Sequence, residues 1–139
     1  MNDIVVGVDQ SATARLAAEK AAELAAAYGA NLHIVYCVPR STSTVVGAGG
    51  DQWFVSPTAE AETFLNALAL ELRHDPITTR VSHDEPAEAI CAEAERIGAR
   101  TIVVGNRRVQ GMARVLGSIA GDVLKHAPCD VLVANTIGA

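Results

Sequence analysis

The sequence predicts a single α/β domain, residues 1–139, built on a parallel sheet with helices on both faces. Three observations carry that expectation. Short unbroken apolar runs, such as Ile4-Val5-Val6-Gly7-Val8 and Thr101-Ile102-Val103-Val104, fit strands covered on both sides. Between such runs, apolar residues recur at helical spacing, so strand and helix alternate along the chain, as right-handed crossovers between parallel strands require. Finally, the 139 residues are half hydrophobic but only 4% aromatic, and alanine is abundant. This mixture suits close-packed helices better than an all-β sandwich, in which β-branched and aromatic residues dominate. The length suits one domain with a sizeable core.

The first strand is Ile4 to Val8. Asp9-Gln10-Ser11 follows as a turn, with Ser11 suited to cap a helix. That helix carries Ala17, Ala21, Leu24 and Tyr28 on one face and stops at Gly29. Leu32 to Val38 is the second strand, closed by Pro39. Arg40 to Ser56 breaks the alternation. Its Ser41-Thr42-Ser43-Thr44 and Gly47-Ala48-Gly49-Gly50 stretches predict a mobile loop, long enough for a lid or a binding role. Trp53 and Phe54 end it, and packing is the commoner use of such aromatics than stacking on a ligand.

Helical spacing returns at Ala61, Leu65, Leu68 and Leu72. Ile77 to Val81 is the third strand. Ala87, Ile90, Ala94 and Ile97 mark a helix begun near Pro86, a favoured first-turn residue. Thr101 to Val104 is the fourth strand. A last helix bears Ile119, Val123 and Ala127, and Asp130 to Asn135 is the fifth strand.

Composition narrows the function. A net charge of −5 argues against general nucleic-acid binding, which needs a basic surface. The three cysteines, Cys37, Cys91 and Cys129, are far apart in apolar segments, without metal-ligand spacing, and read as reduced core residues. The start has no basic leader, and no apolar run approaches the ~20 residues of a membrane span, so the expected location is the cytoplasm, without membrane contact.

The most informative stretch joins the fourth strand to the last helix: Gly105-Asn106-Arg107-Arg108-Val109-Gln110-Gly111-Met112-Ala113-Arg114-Val115-Leu116-Gly117-Ser118. From Arg96 to Gly121 the acidic chain carries five arginines and no Asp or Glu. Glycines permit close backbone approach, and a helix start offers unpaired N–H groups and partial positive charge to an anion. In open α/β sheets ligands bind beyond the carboxyl ends of the strands, where strand order reverses. Three segments lie there. Asp9, after Val8, has acceptors for ribose hydroxyls. The backbone near Cys37 and Val38 can pair with a base edge. The loop amides with Arg107, Arg108, Gly111, Gly117 and Ser118 can hold phosphates. Each residue also has a plainer use: Asp9 and Ser118 as helix caps, the glycines as turns, the arginines as solvated surface.

No GxxxxGK[ST] or GxGxxG stands in the chain, and no nucleophile signature. His33 reads as a structural strand residue, His74 and His83 lie near element ends, and His126 sits near a helix C-terminus, where a cation is favourable. Spacing assembles no Ser/His/Asp or Cys/His set, so the sequence does not support a dedicated hydrolase.

The opening Val6-Gly7-Val8-Asp9-x-Ser11, the order of elements, and Gly105-(loop)-Gly117-Ser118 followed by His126-Ala127-Pro128-Cys129-Asp130-Val131-Leu132-Val133 resemble the universal stress protein family. The resemblance covers nearly the whole chain, least in Arg40 to Ser56. It implies a sheet in the order 3-2-1-4-5 and a homodimer paired through the last strand, an edge suited to such pairing. The family's ATP-binding branch carries Gly-x2-Gly-x9-Gly-[Ser/Thr]. Gly105, Gly117 and Ser118 match, but Arg108 stands at the second glycine and the loop is one residue short. Arg108 can grip a phosphate or block its place. The resemblance further implies an adenine nucleotide (ATP, AMP or cyclic AMP), with Asp9, next to Val8 and Ser11, at the ribose. It puts the Cys37 backbone at adenine, and Gly105, Gly117 and Ser118 at the ribose and phosphates. Mg2+ would be held through the phosphates and water. The expected function is a regulatory role in the stress response. The alternative is a dimeric interaction module that binds no nucleotide and works through its dimer surface and the 40–56 loop.

Overall fold

A computed structural model describes residues 3–9, 12–38, 44–46, 53–74, 76–106 and 118–136. Its elements, in chain order, are β1 (Ile4–Val8), α1 (Ala12–Tyr28), β2 (Leu32–Cys37), β3 (Thr44–Val46), β4 (Trp53–Val55), α2 (Pro57–Leu72), β5 (Ile77–Ser82), α3 (Pro86–Ile97), β6 (Thr101–Gly105), α4 (Ser118–His126) and β7 (Asp130–Ala134).

Five strands form one parallel sheet in the order β5-β2-β1-β6-β7. Counted among these five alone, that is the expected 3-2-1-4-5. The central strands are mostly apolar because both their faces are covered, with His33 and Thr101 the buried polar exceptions in β2 and β6. Successive side chains point to opposite faces. Ile4, Val6, Val8, Leu32, Ile34 and Val103 pack against the alanines of α1 and Leu65 and Leu68 of α2. Val5, Val35, Ile102 and Val104 pack against Ala89, Ile90 and Ala94 of α3 and Ala120 and Val123 of α4. Two helices on each face therefore bury one sheet.

Local chemistry fixes the ends. Ser56 caps α2 by accepting the Ala59 N–H at 3.3 Å, and Pro57 fills the first helical position. Pro86 opens α3 in the same way. Gly29 and Gly98 end α1 and α3 with φ of 62° and 63°, and the next N–H groups, of Ala30 and Ala99, reach back to Ala25 O and Ala94 O at 2.8 Å. The expected Ser11 cap and the closing Pro39 lie outside the described residues.

One segment differs from its sequence expectation. Within the predicted loop 40–56, Thr44–Val46 and Trp53–Val55 pair as a two-stranded antiparallel hairpin separate from the main sheet. The reason is local: both triplets are β-branched or aromatic, the composition that favours pleated backbone. The rest of that segment, and the expected packing of the Trp53 and Phe54 side chains, lie outside what is described.

Candidate functional site

The sheet opens at one place. β1 pairs with β2 from Ile4↔Leu32 through Val8↔Tyr36, but its register with β6 ends at Val6↔Val103. β6 meanwhile continues along β7 to Gly105↔Ala134. The carboxyl ends of β1 and β6 therefore part where strand order reverses, which is where such sheets bind ligands.

Asp9 stands at this split directly after β1, half-buried, following the buried Val8. On the β6 side is Gly105. A Cβ built there would lie 3.4 Å from Thr136 Cγ2 and 3.8 Å from Ala17 Cβ, ordinary contact distances. Packing among the described residues thus does not demand glycine at 105. Asn106 follows. Its N–H donates to Ala134 O at 3.1 Å, its Nδ2 donates to Asn135 Oδ1 at 3.2 Å, and its Oδ1 accepts from Thr136. The loop's root is therefore tied to the exit of β7. Ser118, exposed, is the first residue of α4, whose first turn has no acidic side chain and whose last turn carries Lys125 and His126. That charge pattern complements the helix dipole, and its positive end suits an anion. Ser11, Arg107, Arg108, Gly111 and Gly117 lie outside the described residues.

The β2 side is set by backbone geometry. Val38 N–H donates to Ser82 O at 2.7 Å. In a planar trans peptide the C=O and N–H point in opposite directions. The Cys37 carbonyl therefore faces away from β5, toward the exit of β1 and Asp9. Val38 C=O is engaged differently: His83 Nδ1–H donates to it at 3.1 Å. Of the two adjacent residues named by the sequence, Cys37 turns its carbonyl toward the end of β1, and Val38 anchors to β5 and its exit.

The thiols are chemically quiet. Burial, with Asp84 and Glu85 nearby, pushes the Cys37 thiol up to about 11. Burial raises Cys91, and burial together with Asp130 and Cys91 raises Cys129. All three cysteines are free. A neutral thiol is a poor nucleophile and a poor metal ligand. Among the described residues no three His, Cys, Asp or Glu side chains are grouped to hold a metal ion.

The histidines serve the fold. His33 donates from Nε2 to Asp3 Oδ2 at 3.2 Å, at the amino ends of the strands, far from the split. His74 Nε2 donates to Ala30 O at 2.8 Å, and His126 Nδ1 donates to Asp122 O at 3.0 Å. Sequence reasoning noted His83 near an element end and Asn106 in the loop but gave neither a role. The signal available for both was position alone, since each is a polar residue directly after a strand at the ligand-binding end of the sheet. No helix among the described residues is long and apolar enough to cross a membrane.

Fold and site together define a doubly wound α/β protein with Asp9, Asn106 and the start of α4 at the end of the sheet where strand order reverses. The model of the universal stress protein family matches residues 1–135, and the chain belongs to that family. Among solved structures it is similar to universal stress protein UspA from Lactobacillus plantarum, at 25% identity and a TM-score of 0.74, over 95% of this chain and 96% of that one. A universal stress protein in complex with cAMP is similar at 26% identity and a TM-score of 0.74, over 97% of each chain. The universal stress protein of Archaeoglobus fulgidus in complex with dAMP shares the fold at 24% identity and a TM-score of 0.64, over 96% of this chain and 97% of that one.

Proposed function

We propose that this chain is an adenine-nucleotide-binding regulatory protein of the stress response. The observation that carries the reading is the parting of β1 and β6 after Val6 and Val103, with Asp9, the Cys37 carbonyl and the start of α4 at the same end of the sheet. The similar protein bound to cAMP supports the ligand class. In this reading Asp9 accepts the ribose hydroxyls, with Val8 and Ser11 beside it. The Cys37 carbonyl, held by Val38, meets adenine. Gly105, Gly111, Gly117, Ser118, Arg107 and Arg108 surround the ribose and phosphates. With ATP as ligand, Mg2+ sits on the phosphates and water. The protein acts as a sensor in the cytoplasm, turns ATP over slowly if at all, and dimerises through the edge of β7. Calorimetric titration with ATP, AMP and cyclic AMP tests this: heat with at least one is expected, and no heat with any at millimolar ligand overturns it.

Arg108 favours a second reading. It stands where the ATP-binding branch has glycine, in a loop one residue short. A guanidinium in the phosphate position leaves an interaction module that works through its dimer surface and the 40–56 segment without nucleotide. Nucleotide co-purifying in stoichiometric amount, seen by mass spectrometry, rules that reading out.

A further inference from the structure

The exit of β2 is held by two consecutive residues, Ser82 at the end of β5 and His83 directly after it. Ser82 O takes the Val38 N–H at 2.7 Å and so fixes the peptide plane that contains the Cys37 carbonyl. His83 Nδ1–H takes the Val38 carbonyl at 3.1 Å and fixes the next plane. The turn presenting the imidazole is itself tied, because Asp84 N–H donates to Ser82 Oγ at 3.2 Å. Pro39 follows Val38 and has no N–H to add to a ladder, and among the described residues His83 supplies the next bond to the exit of β2 after that of Ser82.

We infer that His83 is a positioning residue for base recognition: it holds the Cys37–Val38 backbone so that the Cys37 carbonyl accepts the exocyclic amine of a 6-aminopurine. The inference rests on the reading above, in which the base lies at the exit of β2. A carbonyl there selects by chemistry. Adenine presents a donor at position 6, whereas hypoxanthine presents an acceptor that leaves two oxygens facing each other. The selection is only as sharp as the carbonyl's direction is fixed. Ser82 O holds its peptide plane, and His83, without touching the ligand, keeps that plane from tilting by holding the next one at Val38.

Calorimetric affinities for AMP, IMP and ribose 5-phosphate test this on the wild-type protein, His83→Ala and His83→Asn. The wild type is expected to prefer AMP over IMP by about tenfold, the worth of one well-placed hydrogen bond. His83→Ala should bring that ratio below about threefold while leaving ribose 5-phosphate binding unchanged. His83→Asn, whose amide N–H falls close to the Nδ1–H position, should restore the ratio. An unchanged ratio in His83→Ala, or an equal loss of AMP and ribose 5-phosphate, overturns the inference alone. Failure of the wild type to bind any of ATP, AMP and cyclic AMP overturns the underlying reading and the inference with it. Where ATP but not AMP binds, ATP against ITP gives the same ratio, and a wild type without the amine preference overturns the inference alone. Independently of any variant, nitrogen NMR of the wild-type imidazole should show a proton on His83 Nδ1, and a neutral ring protonated only on Nε2 overturns the proposal.

Discussion

Asn106 Oδ1 accepts both polar hydrogens of Thr136, from the backbone N–H at 2.8 Å and from Oγ1 at 3.0 Å. Thr136 is 3% exposed, so water cannot replace the lost acceptor. Asn106→Ala should therefore cost about 1–3 kcal/mol in urea denaturation, the penalty for stranding buried donors. Asn106→Asp keeps an acceptor for Thr136 but sets a carboxylate against Asn135 Oδ1, and should cost less than the alanine variant. Equal costs would show that the Nδ2 bond to Asn135, which both changes remove, is the one that matters.

Gly7 permits α3 to lie directly on β1. A Cβ at this position would come within 2.3 Å of Ile90 Cδ1 and 2.9 Å of Ile90 Cγ1. Gly7→Ala should therefore destabilise the protein by about 1–3 kcal/mol, the usual cost of overpacking a dense core. The doubly substituted Gly7→Ala, Ile90→Val, which removes the clashing methyl, should recover part of that loss. If it is additive instead, backbone and not side-chain crowding is responsible. Melting curves of the two single variants and the double variant decide this.

The main sheet was legible in the chain because its signals are local. Ile4 to Val8 and Thr101 to Val104 are unbroken apolar runs, Pro86 starts α3, and Gly29 stops α1. The family's motifs supplied the strand order. The hairpin of Thr44–Val46 and Trp53–Val55 was hidden by its setting, since two triplets of strand-forming residues are separated by small and polar ones that dominate any window of useful length. The site was legible as strand ends but not as contacts. Asp9, Cys37 and Gly105 can be placed by counting along strands. The bond from His83 to Val38 spans 45 residues and the bonds from Asn106 to Thr136 span 30, and nothing periodic announces either.

If the Cys37 carbonyl and not its thiol faces the ligand, the side chain is replaceable. Cys37→Ser should leave adenine-nucleotide affinity within about twofold, because the backbone is unchanged and the swap is nearly isosteric. The thiol should also be inert. Burial, then Asp84 and Glu85, push it up to about 11, so at pH 7 almost none is thiolate. Alkylation by iodoacetamide followed by mass spectrometry should label Cys37 far more slowly than a free thiol. Rapid labelling at pH 7, or a tenfold loss of affinity in Cys37→Ser, would place the sulfur itself in the site.

Glu93 is 4% exposed, yet it holds charge inside the α3 face of the sheet. The Arg96 guanidinium, bound by two hydrogen bonds of 2.8 Å, is the main cause that keeps its carboxyl below the ordinary range, with Arg96 and Arg80 charges and His33 adding to it against the cost of burial. A carboxyl lowered on folding stabilises the native state fully above its unfolded pKa, near ~4.3, and that contribution is lost as pH falls through the lower folded value. Both arginines are more than half exposed, so solvent screens the pairs, and Glu93→Gln should cost about 1–2 kcal/mol at pH 7 rather than the larger penalty of a fully buried pair. The gap between wild type and Glu93→Gln should shrink steadily as the pH is taken from 5 toward 3, once Glu93 itself takes up a proton. Denaturation midpoints of the two proteins across that range check the sign. A gap that stays constant would mean that Glu93 acts through packing and hydrogen bonds common to both side chains, not through its charge.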